Sequence, residues 1–279
     1  MREIDAELVA SAVEGLCVDA NYRISEDIAR ALKSASGAEE SALARGVIND
    51  LLENAAIAGE GNLPLCQDTG MAVVFAEVGQ DVHVSGSLSC AINEGIRRGY
   101  ESGYLRKSVV SDPIDRKNTK DNTPAVIHYD IVPGDSLLLT VAPKGFGSEN
   151  MSALAMLKPS EGIEGVKKFV IETVRKAGPN PCPPVIVGVG VGGTADYAFL
   201  LAKKALLREV GSPNPAAFWD EAERELMAGI NALGIGPAGL GGRTTALAVF
   251  IAPYPTHIAG LPVAVNIGCH STRHRSVRL

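Results

Sequence analysis

At 279 residues the chain is long enough to bury a substantial core, as one large domain or two small ones. Its net charge of −6 argues against a general nucleic-acid surface, so an anionic ligand has to be attracted by local basic groups. No apolar run reaches membrane-spanning length and the acidic start Met1-Arg2-Glu3-Ile4-Asp5 does not read as a signal peptide; free thiols in such a chain point to a reducing cytoplasm.

Residues 4 to 58 carry a helical pattern. Ile4, Leu8, Ala12 and Leu16 mark one stripe, Ser25 followed by Glu26 and Asp27 starts a second helix, and Ala42 to Leu52 carry a third. Gly59 to Pro64 closes this N-terminal segment, residues 1–58, and residues 59–279 read as one continuous unit. A strand is predicted over Ala72 to Val78, a helix over Leu88 to Tyr100, and a polar loop over Lys107 to Thr123. Ala125 to Val132 and Ser136 to Ala142, joined through Pro133-Gly134-Asp135, read as a hairpin. Helices follow at Ile163 to Lys176, Ala195 to Arg208 and Pro215 to Leu233, with strands at Val185 to Val189, Leu247 to Ala252 and Val263 to Ile267. The mixture predicts an α/β fold of α+β character: a helical segment, then a multilayer domain with parallel and antiparallel strands.

Three of the five cysteines sit in Pro/Gly-rich turns far apart in the chain. These are Cys66 in Leu63-Pro64-Leu65-Cys66-Gln67-Asp68-Thr69-Gly70, Cys182 in Asn180-Pro181-Cys182-Pro183-Pro184, and Cys269 in Asn266-Ile267-Gly268-Cys269-His270. Proline fixes such a backbone and glycine lets it approach a ligand closely, so a three-thiolate metal site leads the reading. Cys17 and Cys90 lie in helical stretches and read as ordinary buried side chains. No CxxC pair fixes a tetrahedral zinc site. Zinc stays an alternative because His270 and His274 would share a face if their segment were helical.

Gly188-Val189-Gly190-Val191-Gly192-Gly193 matches G-x-G-x-x-G between a strand and a helix, which keeps a dinucleotide-binding turn open as a second chemical class. Against it, the helix after Gly193 leads through Glu209, Gly211, Ser212 and Pro213 into another helical pattern, not into a second strand ending in an acid. The competing reading is that the glycines let a loop pass close to a cluster or substrate carboxylate.

The three cysteine turns, with Gly145-Phe146-Gly147-Ser148-Glu149-Asn150 and Gly239-Leu240-Gly241-Gly242-Arg243-Thr244-Thr245-Ala246, resemble the iron-sulfur hydro-lyases of the class I fumarase and L(+)-tartrate dehydratase family, from about residue 40 onward. The resemblance implies a 4Fe-4S cluster on Cys66, Cys182 and Cys269, with one iron lacking a protein ligand. Four thiolates close a cluster for electron transfer, whereas three leave a Lewis-acidic iron for chemistry.

By the same resemblance Asp68 and His257 form a proton-transfer pair, and Gln67, Arg106 and Gly147 contact a substrate carboxylate, Arg106 through its planar fork. Read from the residues alone, Asp68 accepts turn amides and His257 is a hydrogen-bonded loop residue. Lys144 and Asn150 divide evenly between contact and structural roles, Arg243 reads as structural, and Arg273 and Arg275 either balance cluster thiolates or face a partner.

The implied reaction is reversible hydration of fumarate to malate, a step of the tricarboxylic acid cycle, with tartrate dehydration to oxaloacetate as the alternative. A non-catalytic iron-sulfur scaffold is a reading of a different class. Single-chain relatives carry further catalytic groups in a C-terminal domain, and this sequence runs ten residues past Cys269. The resemblance therefore implies that this is an alpha subunit working with a separate beta subunit, as an alpha2beta2 heterotetramer, with no nucleic acid or membrane among its partners.

Overall fold

The computed structural model describes residues 2–279. Two compact units compose the chain: residues 1–24, 55–146 and 273–279 make the first, residues 25–54 and 147–272 the second. The N-terminal helices divide between them and do not stand as a segment of their own.

In the first unit, β1 (Arg2–Asp5) leads into α1 (Ala6–Tyr22), which Asp5 caps by accepting from the Glu7 amide at 2.9 Å. The buried stripe of α1 is Val9, Val13 and Cys17, not Leu8, which is 52% exposed. Apolar residues lie on several sides of this helix, so periodicity alone does not say which side packs. Packing against α4 (Leu88–Ser102) decides it, with Ile92, Ile96 and Tyr100 facing α1 in the same core.

Below these helices lies a four-stranded sheet in the order β10 (Arg275–Arg278), β5 (Leu137–Lys144), β2 (Met71–Gly79), β4 (Val126–Val132). A separate parallel pair joins β1 to β3 (Val82–Ser85). The expected hairpin does not form: β2 inserts between β4 and β5, parallel to the first and antiparallel to the second. The Pro133 to Asp135 link passes over the end of β2, where Gly79 donates to the Ser136 carbonyl and Asp81 to that of Gly134. Ala72 to Ala76 are all buried, which is why β2 takes the centre.

The second unit begins with α2 (Glu26–Ala38), whose N-cap is Ser25 as expected, and most of α3 (Ala42–Gly61), which ends in the first unit. Its sheet runs β6 (Ala153–Leu157), β9 (Leu261–Gly268), β7 (Val185–Gly193), β8 (Ala246–Thr256). β7 is antiparallel to β9 and parallel to β8. α6 (Gly162–Ala177) and α8 (Ala217–Asn231) cover one face through Val166, Val170, Leu226 and Ile230 against Val187, Val189, Val265 and Ile267. α7 (Ala195–Ala205) covers the other through Ala198 and Ala202 against Ala264.

This layering explains the glycine cluster and removes the dinucleotide reading. Gly188 and Gly190 lie inside β7, with their amides in the ladder, and face α7. A Cβ on Gly188 would stand 2.1 Å from the Ala202 carbonyl oxygen, and one on Gly190 2.0 Å from that of Ala198. Gly188 and Gly190 bring a helix backbone onto a strand and lie in the ladder, not in a phosphate turn.

Candidate functional site

Each unit carries one part of the predicted constellation. In the first, the segment Cys66 to Gly70 enters β2 and is held from several sides. Leu65 donates its amide to the Asn21 carbonyl at 2.8 Å, and the Asp68 amide points at the Cys66 Sγ, 3.4 Å away. The Tyr100 hydroxyl, fully buried, bonds the Thr69 and Gly70 carbonyls at 2.7 and 2.9 Å. Burial pushes this phenol's pKa well above the usual tyrosine range, so it remains a neutral donor.

Asn122, also fully buried, donates to the Gly70 carbonyl at 3.2 Å, while its own carbonyl accepts the amides of Ser108 and Val109. The polar loop of residues 107–123, to which sequence assigned no role, thus braces the cysteine turn. Gly70 itself has φ +77°, and a Cβ there would lie 2.7 Å from the Lys144 amide nitrogen.

Asp68 spends both carboxylate oxygens locally: Oδ1 accepts the Gly70 amide at 3.0 Å and Oδ2 the Phe146 amide at 2.9 Å. Its carbonyl accepts from the buried guanidinium of Arg273 at 2.6 Å. Gln67 is exposed beside it. Arg106 is exposed as well, and its carbonyl accepts the Thr69 hydroxyl at 3.0 Å, which fixes the arginine's backbone next to the turn. Gln67 and Asp68 follow Cys66 directly in the turn, and the backbone of Arg106 is bonded to that turn at Thr69. Lys144 ends β5 opposite Met71, with its backbone against Gly70.

In the second unit, Cys182 and Cys269 stand at the same end of the sheet. Cys182 precedes β7, Cys269 follows β9, and Ile186 pairs with Gly268 between them. The cysteines are joined by His270, whose Nδ1 lies 3.0 Å from the Cys182 carbonyl oxygen while its amide donates to the same atom. With Nδ1 protonated, this imidazole holds two cysteine turns together. Cys269 Sγ meets the Ser271 hydroxyl at 3.1 Å, and Thr272 closes the turn on the Cys269 carbonyl through its amide and its hydroxyl. Residues 269–274 are thus a turn, not a helix, and the shared His270/His274 face on which the zinc alternative relied is absent.

Next to this end, Gly147 to Asn150 are anchored through Glu149. Its carboxylate pairs with Lys203 of α7 and accepts from the fully buried Asn266 amide at 2.8 Å. The same amide reaches the Ser152 hydroxyl at 2.8 Å, and Gly147 and Asn150 remain exposed. The Gly239 to Ala246 motif is structural: buried Glu39 accepts the amides of Arg243 and Thr244 along with those of Glu40 and Ser41, and Arg243 pairs with Glu40 at the surface. Burial opposes ionisation of Glu39, yet these amides keep its pKa below the usual range.

His257 departs from expectation. The strand between it and Cys269 runs away from the cysteine end: Thr256 pairs with Gly193, Gly268 with Ile186, and those rows are seven steps apart along β7, about 23 Å at roughly 3.3 Å per residue. His257 is exposed in the β8–β9 turn, where Nδ1 accepts the Ala259 amide at 3.2 Å. Asp68 and His257 each have local backbone partners.

All five cysteines are free thiols. Cys17 is buried as expected, and burial drives its pKa far up; Cys90 is exposed in the first turn of α4, which corrects its reading as buried. Cys66 and Cys269 are half-buried and Cys182 is exposed. Among the described residues no three His, Cys, Asp or Glu side chains form a group able to hold a single metal ion.

The model of the family described as Fumarate hydratase (Fumerase) matches residues 10–278, so the similarity begins well before residue 40. The chain belongs to this fumarate hydratase family. It is 43% identical over 278 residues to the Methanocaldococcus jannaschii protein named "Putative L(+)-tartrate dehydratase subunit alpha", covering 97% of each chain. It is 36% identical to the L(+)-tartrate dehydratase subunit alpha of Escherichia coli strain UTI89, over 92% of this chain and 86% of that one. The Shigella sonnei protein of the same name is 35% identical, over 90% and 84%. This is a family of hydro-lyases, and no helix of the described residues is long and apolar enough to cross a membrane.

Proposed function

We propose that this chain is the cluster-bearing alpha subunit of a two-subunit hydro-lyase that adds water across the double bond of a small dicarboxylate. The observation that carries this reading is the joining of Cys182 and Cys269 at one sheet end through His270 in a chain of this family. The donor set fits the family's cofactor: three thiols on braced turns, two of them at one sheet end, with an N–H directed at the Cys66 sulfur and a hydroxyl in hydrogen-bond contact with the Cys269 sulfur. Cys66, Cys182 and Cys269 would hold the group. A 4Fe-4S cluster on three thiolates supplies a Lewis-acidic iron that weakens the C–O bond of a hydroxy acid.

The chain's own side chains do the remaining work. Arg106, held to the Cys66 turn through Thr69, offers two parallel N–H donors to a substrate carboxylate, and Gln67 adds an amide from the same turn. Gly147 contributes a backbone N–H from a turn anchored by Glu149 and Lys203. Asp68 holds the Phe146 amide and so the start of that turn. His257 presents Nε2–H when neutral, since Nδ1 accepts from Ala259, but at about 23 Å along the sheet from the Cys182 and Cys269 end it does not reach the cysteines of its own chain as a proton donor. The proton-abstracting base and further carboxylate contacts come from the separate beta subunit, in an alpha2beta2 assembly.

Fumarate and malate are the preferred pair. Tartrate as substrate is the second reading, favoured by the names of the relatives. Anaerobic purification with the partner subunit, followed by assay on fumarate, malate and tartrate, separates the two. Reconstituted complex that transforms none of them, with cluster intact, would leave the scaffold reading standing instead.

A further inference from the structure

Resting on the two-subunit reading above, we infer that the segment from Tyr104 to Asn122 is the surface on which the separate beta subunit seats, with the Tyr104 ring as its anchor. Backbone strain marks the place. Tyr104 has φ +48°, in the left-handed region that a bulky side chain rarely enters. The end of α4 requires it: the Tyr104 amide donates to the Glu101 carbonyl at 3.2 Å and the Leu105 amide to the Tyr100 carbonyl at 3.1 Å, a closure that glycine ordinarily completes. Glycine stands one position earlier instead, where a Cβ on Gly103 would lie 2.8 Å from the Gly99 carbonyl oxygen.

Burial within the chain does not offset a tyrosine at this position. Leu105 is buried and fixes the chain's direction, whereas Tyr104 is 89% exposed. Strain that the local structure does not use is a sign of function. It recurs along the segment: no glycine lies between Gly103 and Gly134, yet Arg116 and Lys120 are left-handed as well, at φ +58° and +69°, and both are exposed. Asn122, at φ +63°, is accounted for by its buried bonds to Ser108 and Gly70. Ile114, also 89% exposed, is held in place through its amide on Asp112 Oδ1 at 2.8 Å. The segment thus offers an aromatic ring, an aliphatic tip and two cations on a braced backbone, and tyrosine and arginine are the side chains that carry much of the binding energy at interfaces.

The occupant follows from position. Arg106 comes two residues after Tyr104 and accepts the Thr69 hydroxyl on its carbonyl, Asn118 and Thr119 bond back to Lys107 and Val109, and Asn122 reaches Gly70. The segment is therefore fastened along the Cys66 turn, and a subunit that brings a base to a substrate held by Arg106 and Gln67 must lie against it. Five Lys and Arg against three Asp between Tyr104 and Asn122, on a chain of net charge −6, fit an acidic face with a pocket for the ring.

Anaerobic titration calorimetry of the full chain against the purified beta subunit, with thermal unfolding of the chain alone, tests this. Tyr104→Gly should weaken association about tenfold or more, while the thermal midpoint of the chain alone holds or rises by about 1–3 °C, because strain is relieved and no packing is lost. Ile114→Asp should also weaken association with the midpoint unchanged. Wild-type association in Tyr104→Gly overturns the inference and leaves the hydro-lyase reading intact; if KM for the dicarboxylate rises at the same time, the ring is a substrate contact instead. A midpoint that falls by several degrees in Tyr104→Gly overturns it too, by assigning the ring to the fold. A wild-type chain that does not bind the beta subunit at all overturns the two-subunit reading, and the inference with it.

Discussion

Replacing Asp68 by Asn tests whether the aspartate holds the cysteine turn. Its two oxygens accept the Gly70 and Phe146 amides at 3.0 and 2.9 Å, and an amide side chain retains only one acceptor. Whichever way Asn is oriented, one backbone N–H loses a charged acceptor and faces another donor. Hydrogen bonds to charged groups are worth roughly 1.5–3 kcal/mol, so Asp68→Asn should destabilise the chain by about that amount. At roughly 2–4 °C per kcal/mol for a chain of this size, the thermal midpoint of the cluster-free protein should fall by about 3–12 °C. Asp68→Ala removes both acceptors and should fall further. Thermal and urea unfolding followed by circular dichroism measure this without any cofactor. An Asp68→Asn midpoint within a degree of wild type would refute the hydrogen-bond account and return Asp68 to a purely chemical role.

Three further perturbations address other parts of the account. His270→Ala removes the side-chain link to the Cys182 carbonyl, so the anaerobic protein should lose iron several-fold faster while the fold persists; unchanged iron retention would make the contact incidental. Gly190→Ala drives a Cβ to 2.0 Å from the Ala198 carbonyl oxygen and should cost about 3 kcal/mol or more in urea unfolding, whereas Gly46→Ala, in α3 with nothing within 4 Å, should stabilise by about 0.5–1 kcal/mol. For Glu39 the folded pKa lies below the usual value of 4.5, so its contribution is fully present above that value and fades as pH falls through the lower folded pKa; Glu39→Gln should therefore narrow its stability deficit on acidification from pH 7, and a deficit independent of pH would refute the assignment.

Local chemistry was legible where it was dense. The Pro/Gly turns located the three cysteines, Ser25 marked a helix start, and Leu88, Ile163 and Val185 stood at or within a residue of real element starts. Long-range pairing was not. β10 is four residues long and finds its partner β5 some 130 residues earlier, a contact no local period encodes. The hairpin failed for a related reason: turn residues between β4 and β5 are equally compatible with a third strand between them. In the candidate site, Asn122 and Tyr100 were hidden because their work consists of bonds to main-chain carbonyls of Thr69 and Gly70, which side-chain identity does not announce. The resemblance gave His257 a role at the cluster, but nothing in the sequence shows that the strand between it and Cys269 runs away from the cysteine end.

The most direct test of the three-thiolate site is Mössbauer spectroscopy of the anaerobically reconstituted complex, with iron and sulfide analysis, before and after adding fumarate or tartrate. The account predicts about four irons per chain, one of which changes its signature when the dicarboxylate binds, with both features lost in Cys66→Ser, Cys182→Ser and Cys269→Ser and kept in Cys90→Ser. Irons that all ignore the substrate, or a full cluster in the Cys182→Ser chain, would contradict it.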